Sequence, residues 1–188
     1  MNKKTKALTD EQYAEVIRTI ADGFLEHRPN KRIAAALTLE ANLGMRISDI
    51  LNLRLCDIIR DGNTWHLDVI EQKSGKPRTF TVPDRVYDFI KSYCYDNGIS
   101  KTEKIFPISE RAVQKHLKFA CDFLELDDIG THSFRKNFAT GVYQNNDYNI
   151  VLVQQLLQHS SPAITQRYIG IDSKQIQEAL EKQVNIVI

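Results

Sequence analysis

A chain of 188 residues, 42% hydrophobic and 26% charged, can bury a core of its own; disordered, fibrous and disulfide-stapled classes are excluded. No apolar run approaches a bilayer span, and the opening MNKKTKALTDEQ lacks the apolar stretch of a secretory leader. The net charge of +1 gives no global pull toward nucleic acid, so any such affinity rests on where basic residues gather. They gather at Lys3, Lys4 and Lys6, at Lys31 and Arg32, at Lys73, Lys76 and Arg78, and at Arg111, Lys115 and Lys118. Each group reads either as solvated surface or as a phosphate-binding patch. Cys56, Cys94 and Cys121 are scattered and odd in number, the pattern of reduced, buried thiols in a cytosolic protein.

In chain order, a basic tail over residues 1–8 leads to Thr9, where T-D-E-Q has capping-box spacing and starts a helix running to about His27. Asn30 caps a second helix, rich in Ala and Leu, that ends at Gly44, and a third, short helix starts at Ser48. Residues 55–82 alternate in short apolar runs around Asp61-Gly62 and Ser74-Gly75, which predicts a three-stranded antiparallel meander. Helices follow at about 84–96, 109–125, 133–145, 149–158, 162–169 and 173–183, with Ser161-Pro162 a start signal. The expected fold class is mainly α with a small antiparallel sheet (α+β), and residues 1–188 form a single domain.

The chemistry concentrates in the last third. His132 and Arg135 stand in THSFRKNFAT, His159 in LLQHSSPAI and Tyr168 in TQRYIGI, with Arg46 upstream in LGMRISDILNL. Singly, each has an ordinary reading. Arg46 fits a salt-bridged surface residue, His132 a capping or core histidine before an N-cap at Ser133, and Tyr168 a packing residue with a wet hydroxyl. The histidines show no H-x-x-x-H spacing, which argues against zinc. As a set, two guanidiniums, two imidazoles and a phenol suit holding a phosphodiester while a tyrosine attacks it. Arginine offers planar, permanently charged, bidentate donors to phosphate. A phenol with an unperturbed pKa near 10 is ionised in only about one molecule per thousand at pH 7, so its attack needs a proton acceptor or a strongly positive setting.

From about Leu8 to Lys182 the set resembles the tyrosine recombinases, the phage-integrase family of DNA breaking and joining enzymes. LGMRISDILNLRLCDI is similar to the first arginine box, with Asp49 in the acidic position after Arg46. EQKSGKPRTFTVP is similar to the hairpin bearing the family's lysine, THSFRKNFAT to the H-x-x-R box, and LLQHSSPAITQRYIGI to the final box, with His159 nine residues before Tyr168. The resemblance implies that Arg46, Arg135 and His159 stabilise the charged non-bridging oxygens, each such donor contributing ~3 kcal/mol. It implies Tyr168 as the nucleophile, His132 as the group that accepts or relays its proton, and Lys73 as the acid for the leaving 5′ oxygen. Lys76, on the same turn, is the alternative acid. Asp49 and Lys136 would support these groups from behind; at Lys136 many relatives carry a second histidine.

The implied function is a site-specific DNA recombinase working through a 3′-phosphotyrosyl intermediate. The alternatives are a non-catalytic DNA-binding regulator that kept the fold and a type IB-like topoisomerase. No nucleotide cofactor is implied, because the tyrosyl ester conserves the energy of the broken bond, and no metal, because arginines take the ion's place. The implied partner is double-stranded DNA, bound by a homo-tetramer on paired sites and by a monomer off DNA, in the cytoplasm and at the nucleoid when acting, with no membrane. Lys76, Arg78, Lys115 and Lys118 are the candidate DNA-binding side chains. The chain begins almost at the catalytic domain, without the helical core-binding domain that relatives place before it. Residues 172–188 form a helix and apolar tail, either folded onto their own core or exchanged between protomers.

Overall fold

The structure, a computed structural model, describes residues 5–70, 75, 77–169 and 181. They fall into two compact units, Met1–Phe138 and Ala139–Ile188. Among the described residues no helix is long and apolar enough to cross a membrane.

The first unit opens with α1 (Asp10–Asp22), started by the capping box foreseen at Thr9: its side chain accepts from Gln12 N–H, and the Gln12 side chain accepts from Thr9 N–H. The helix stops five residues before His27. Gly23, at φ 86, turns the chain into a tight loop in which Phe24 and His27 exchange backbone hydrogen bonds of 3.0 and 2.8 Å. Asn30 caps α2 (Lys31–Leu43) through Ile33 N–H, and the helix ends at Gly44, as its sequence predicts. Then come α3 (Ile47–Ile50), one residue earlier than expected, and a single 3-10 turn at Leu55–Asp57.

The meander is β1 (Ile58–Asp61), β2 (Thr64–Ile70) and β3 (Pro77–Val82), in the order β1-β2-β3 and antiparallel throughout. Alternation puts Ile58, Leu67, Phe80 and Val82 on the buried face. Trp65 of β2 stacks on Tyr87 of α4 (Asp84–Asp96) at 3.6 Å between ring centroids. α5 (Glu110–Phe123) turns Val113, Leu117, Ala120 and Cys121 inward. Cys94 is buried too, but Cys56 is exposed, so the expectation of three buried thiols holds for two.

Residues 5–8 are not a loose tail. Lys6 N–H donates to Asp128 O, Leu8 is buried, and Asn137 Nδ2 donates to Leu8 O at 3.1 Å. α6 (Thr131–Asn145) starts two residues before the expected 133. Ser133 is therefore inside the first turn; its hydroxyl accepts from Gly130 N–H at 3.1 Å. In the second unit, α7 (Ile150–Leu157) is capped by Asn149, whose side chain accepts from Leu152 N–H, and packs on α8 (Pro162–Ile169). The expected helix at 173–183 and the tail over 172–188 lie outside the described residues apart from Glu181.

Candidate active site

In the first unit two arginines are held by elements that meet at a glycine. Gly44 closes α2 at φ 60 and donates its N–H to Glu40 O at 3.0 Å. The chain then runs extended through Arg46, whose carbonyl accepts from Asp49 and Ile50 N–H at the start of α3. Arg46 is half-buried and Asp49 buried. Arg135 lies one turn into α6 beyond His132 and is 2% exposed, a depth at which a permanent charge is retained for a purpose or a partner. His132 is exposed, which excludes the core histidine of its ordinary reading. One turn further on, Phe138 packs against Gly44: a Cβ there would stand 2.3 Å from Phe138 Cδ1. The absent side chain lets α6, with Arg135, approach the segment that carries Arg46.

Beneath this contact sits a residue the motifs did not single out. Glu40, in α2, has 0% exposure, and neither of its carboxyl oxygens has a hydrogen-bond partner among the described residues. Burial holds its carboxyl well above the usual carboxylate range, while the Arg135 charge pulls the other way. Leu37 and Leu43 share its face at helical spacing, and both are buried. Marking that stripe on the sequence would have exposed an acid within it.

Lys136 is buried and donates to Thr5 O, and Asn137 Nδ2 reaches Asp10 Oδ1 at 3.3 Å. Lys136 thus ties the N-terminal arm to α6.

In the second unit, α7 ends at Gln158 in the left-handed conformation, and His159 N–H donates back to Gln154 O at 3.0 Å. This reversal brings the His159 ring over α8. Its Nδ1 lies 3.1 Å from Oγ1 of buried Thr165, and the ring meets Tyr168 edge-on, 5.1 Å between centroids. The Tyr168 hydroxyl oxygen is buried. Thr165 is a second residue the motifs missed; its spacing on α8, three before Tyr168, puts it on the tyrosine's face.

Lys73 and Lys76 lie outside the described residues, so the choice between them stands open. Arg78 pairs across from Val69 in the β2–β3 ladder. On α5, Lys115 and Lys118 are exposed: Lys115 Nζ sits 5.7 Å from the Phe119 ring centroid, and Lys118 pairs with Asp122 at 2.6 Å.

Residues 6–175 match the model of the phage integrase family. The probable integrase/recombinase YoeC of Bacillus subtilis (strain 168) is 36% identical over 150 residues, 76% of this chain and 80% of that protein. The tyrosine recombinase XerC of Caldanaerobacter subterraneus subsp. tengcongensis is 31% identical, with 93% of this chain aligned but half of the relative's length. Among solved structures, the XerH recombinase bound to palindromic difH substrate in its post-cleavage complex superimposes with a TM-score of 0.73 at 19% identity, covering 96% of this chain and 53% of that one. The catalytic domain of bacteriophage HP1 integrase gives 0.65 at 19% identity and covers 96% of both chains. The fold is that of a tyrosine recombinase catalytic domain, and by its sequence match across 6–175 the chain belongs to the phage integrase family.

Proposed function

We propose that this chain is a site-specific DNA recombinase that cuts and rejoins strands through a covalent link between Tyr168 and DNA, with residues 1–188 working as one catalytic domain. The observation that carries the reading is the pairing of the Tyr168 ring with His159 at 5.1 Å, on a turn and helix that also fix the imidazole through Thr165. A DNA-binding regulator has no use for a phenol set beside a fixed imidazole.

In the proposed step the Tyr168 oxygen bonds to phosphorus and the bond from phosphorus to the 5′ oxygen breaks. The phenol proton passes to His132, and the 5′ oxygen takes a proton from Lys73 or Lys76. Arg46, Arg135 and His159 hold the non-bridging oxygens, where negative charge grows in the transition state. Asp49 supports Arg46 from the next turn. The ester keeps the energy of the broken bond, so rejoining is the same step reversed with a new 5′ hydroxyl. The partner is double-stranded DNA in the cytoplasm, contacted in part by Arg78, Lys115 and Lys118, and paired sites are held by a homo-tetramer.

The test uses nicked duplexes and denaturing gels, with target sites first obtained by sequencing DNA that stays attached to the protein after full denaturation. Wild type forms a protein–DNA adduct and Tyr168→Phe forms none. An adduct that survives Tyr168→Phe, or no adduct on captured sites, refutes the reading. Supercoil relaxation without exchange between two sites assigns the topoisomerase alternative instead.

A further inference from the structure

We propose that Glu40 is a positioning residue of this reaction: a wholly buried carboxyl in α2, facing Arg135, that sets how much of the Arg135 charge is available to a DNA phosphate. The proposal rests on the reading of Arg135 as a phosphate-holding group.

An acid with no close hydrogen bond inside an apolar stripe is a burden to folding, and an alanine or leucine would fill a helix surface at no such expense. Glu40 is six residues before Arg46, and its own carbonyl receives the Gly44 N–H that ends α2. Groups of three elements lie within electrostatic reach of its carboxyl: Arg135 from α6, Glu110 from the start of α5 and, too distant for a close bond, the Ile47 backbone N–H from α3, the residue after Arg46. Both arginine-bearing segments therefore border one ionisable group.

The physical consequence has a definite sign. When protonated, Glu40 leaves the guanidinium of Arg135 fully positive toward an incoming phosphate. When ionised, it is a fixed internal anion that competes with phosphate for the same cation. Burial and Glu110 favour the neutral form; Arg135 and the Ile47 N–H favour the anion. A phosphate bound to Arg135 adds negative charge to the neighbourhood and tips the balance further toward the neutral form. DNA binding and proton uptake by Glu40 are then linked, each favouring the other.

Two measurements on the full chain decide this. First, the side-chain carboxyl of Glu40 is followed by carbon NMR in glutamate-labelled protein, assigned by loss of its signal in Glu40→Gln, or in Glu40→Asp if the former does not fold. The expected result is a titration midpoint above the ordinary carboxylate range that moves up when a short duplex DNA is added, and moves up in Arg135→Gln without DNA. A midpoint in the ordinary range, or one indifferent to both changes, overturns the proposal whether or not the protein cleaves DNA. Second, single-turnover adduct formation is compared across pH. Wild type loses rate as pH rises through the Glu40 midpoint, whereas Glu40→Gln, permanently neutral, does not and runs about tenfold faster at the alkaline end. A Glu40→Gln rate reduced by the same factor at every pH means a merely structural role and overturns the proposal. Should wild type form no adduct at all, the recombinase reading fails, and the NMR titration alone decides the role of Glu40.

Discussion

Replacing Gly44 by alanine tests the contact that joins α2 to α6. Two independent costs are expected. The glycine sits at φ 60, where an L-residue is strained, and the added methyl would stand 2.3 and 2.4 Å from two Phe138 ring carbons. The backbone contributes about 1–2 kcal/mol and the overpacking about 1–3 kcal/mol, so Gly44→Ala should lose roughly 2–5 kcal/mol. Against a typical domain stability of about 5–15 kcal/mol that is a large fraction. Gly62 supplies the control: it has φ 57 and nothing within 4 Å of a would-be Cβ, so Gly62→Ala carries the backbone cost alone. Urea unfolding of both variants isolates the steric part by subtraction. On a Phe138→Ala background the Gly44→Ala cost should fall to the Gly62→Ala value, a coupling that a double-mutant cycle reads directly. If Gly44→Ala is no more costly than Gly62→Ala, or if Phe138→Ala leaves its cost unchanged, the packing argument is wrong.

Lys136→Met removes the donor to Thr5 O and should cost about 1.5–3 kcal/mol, with early proteolytic cleavage near residues 5–8 and adduct formation retained. Glu40 makes stability depend on pH. Its folded-state carboxyl titrates above the unfolded 4.5, so the native state holds a proton that the unfolded chain releases, and stability falls as pH rises from 4.5 through the folded value. Glu40→Gln should flatten that decline in urea midpoints, and an unchanged slope would refute the assignment. Iodoacetamide at neutral pH should modify exposed Cys56 in the native protein and spare Cys121, whose thiol burial pushes up to about 11; equal labelling would contradict the fold around α5.

Much of this molecule could be read from local chemistry. The Thr9 capping box, the Asn30 cap, the Gly44 stop and the turn at Asp61-Gly62 are short-range signals, and each element they bound is in place. Distant contacts decide the rest. α1 stops at Asp22 because the Gly23 turn folds Phe24 back on His27, a choice invisible in an amphipathic pattern that continues past it. Ser133 looked like a cap, but the helix begins at Thr131 and the hydroxyl serves Gly130 instead. Arg46, Arg135, His159 and Tyr168 stand out in the sequence as reactive residues at fixed intervals, and the structure buries Arg135 and sets His159 against Tyr168. Glu40 and Thr165 do not stand out, since an acid or a hydroxyl within a helix looks like surface until its neighbours are known. The bond from Lys136 to Thr5 is a long-range contact that spacing does not encode.

The bond between His159 and Thr165 has a mechanical consequence. Tyr168 and its neighbouring imidazole are not carried by separate pieces of chain: one is on α8, and the other is tied to α8 by a side chain within the same helix. The same histidine is bonded through its backbone to Gln154 of α7, so the imidazole beside the phenol is held from both helices at once. Loosening α7 from α8 would therefore disturb the imidazole and its contact with the phenol together, so the two helices position this pair as one unit.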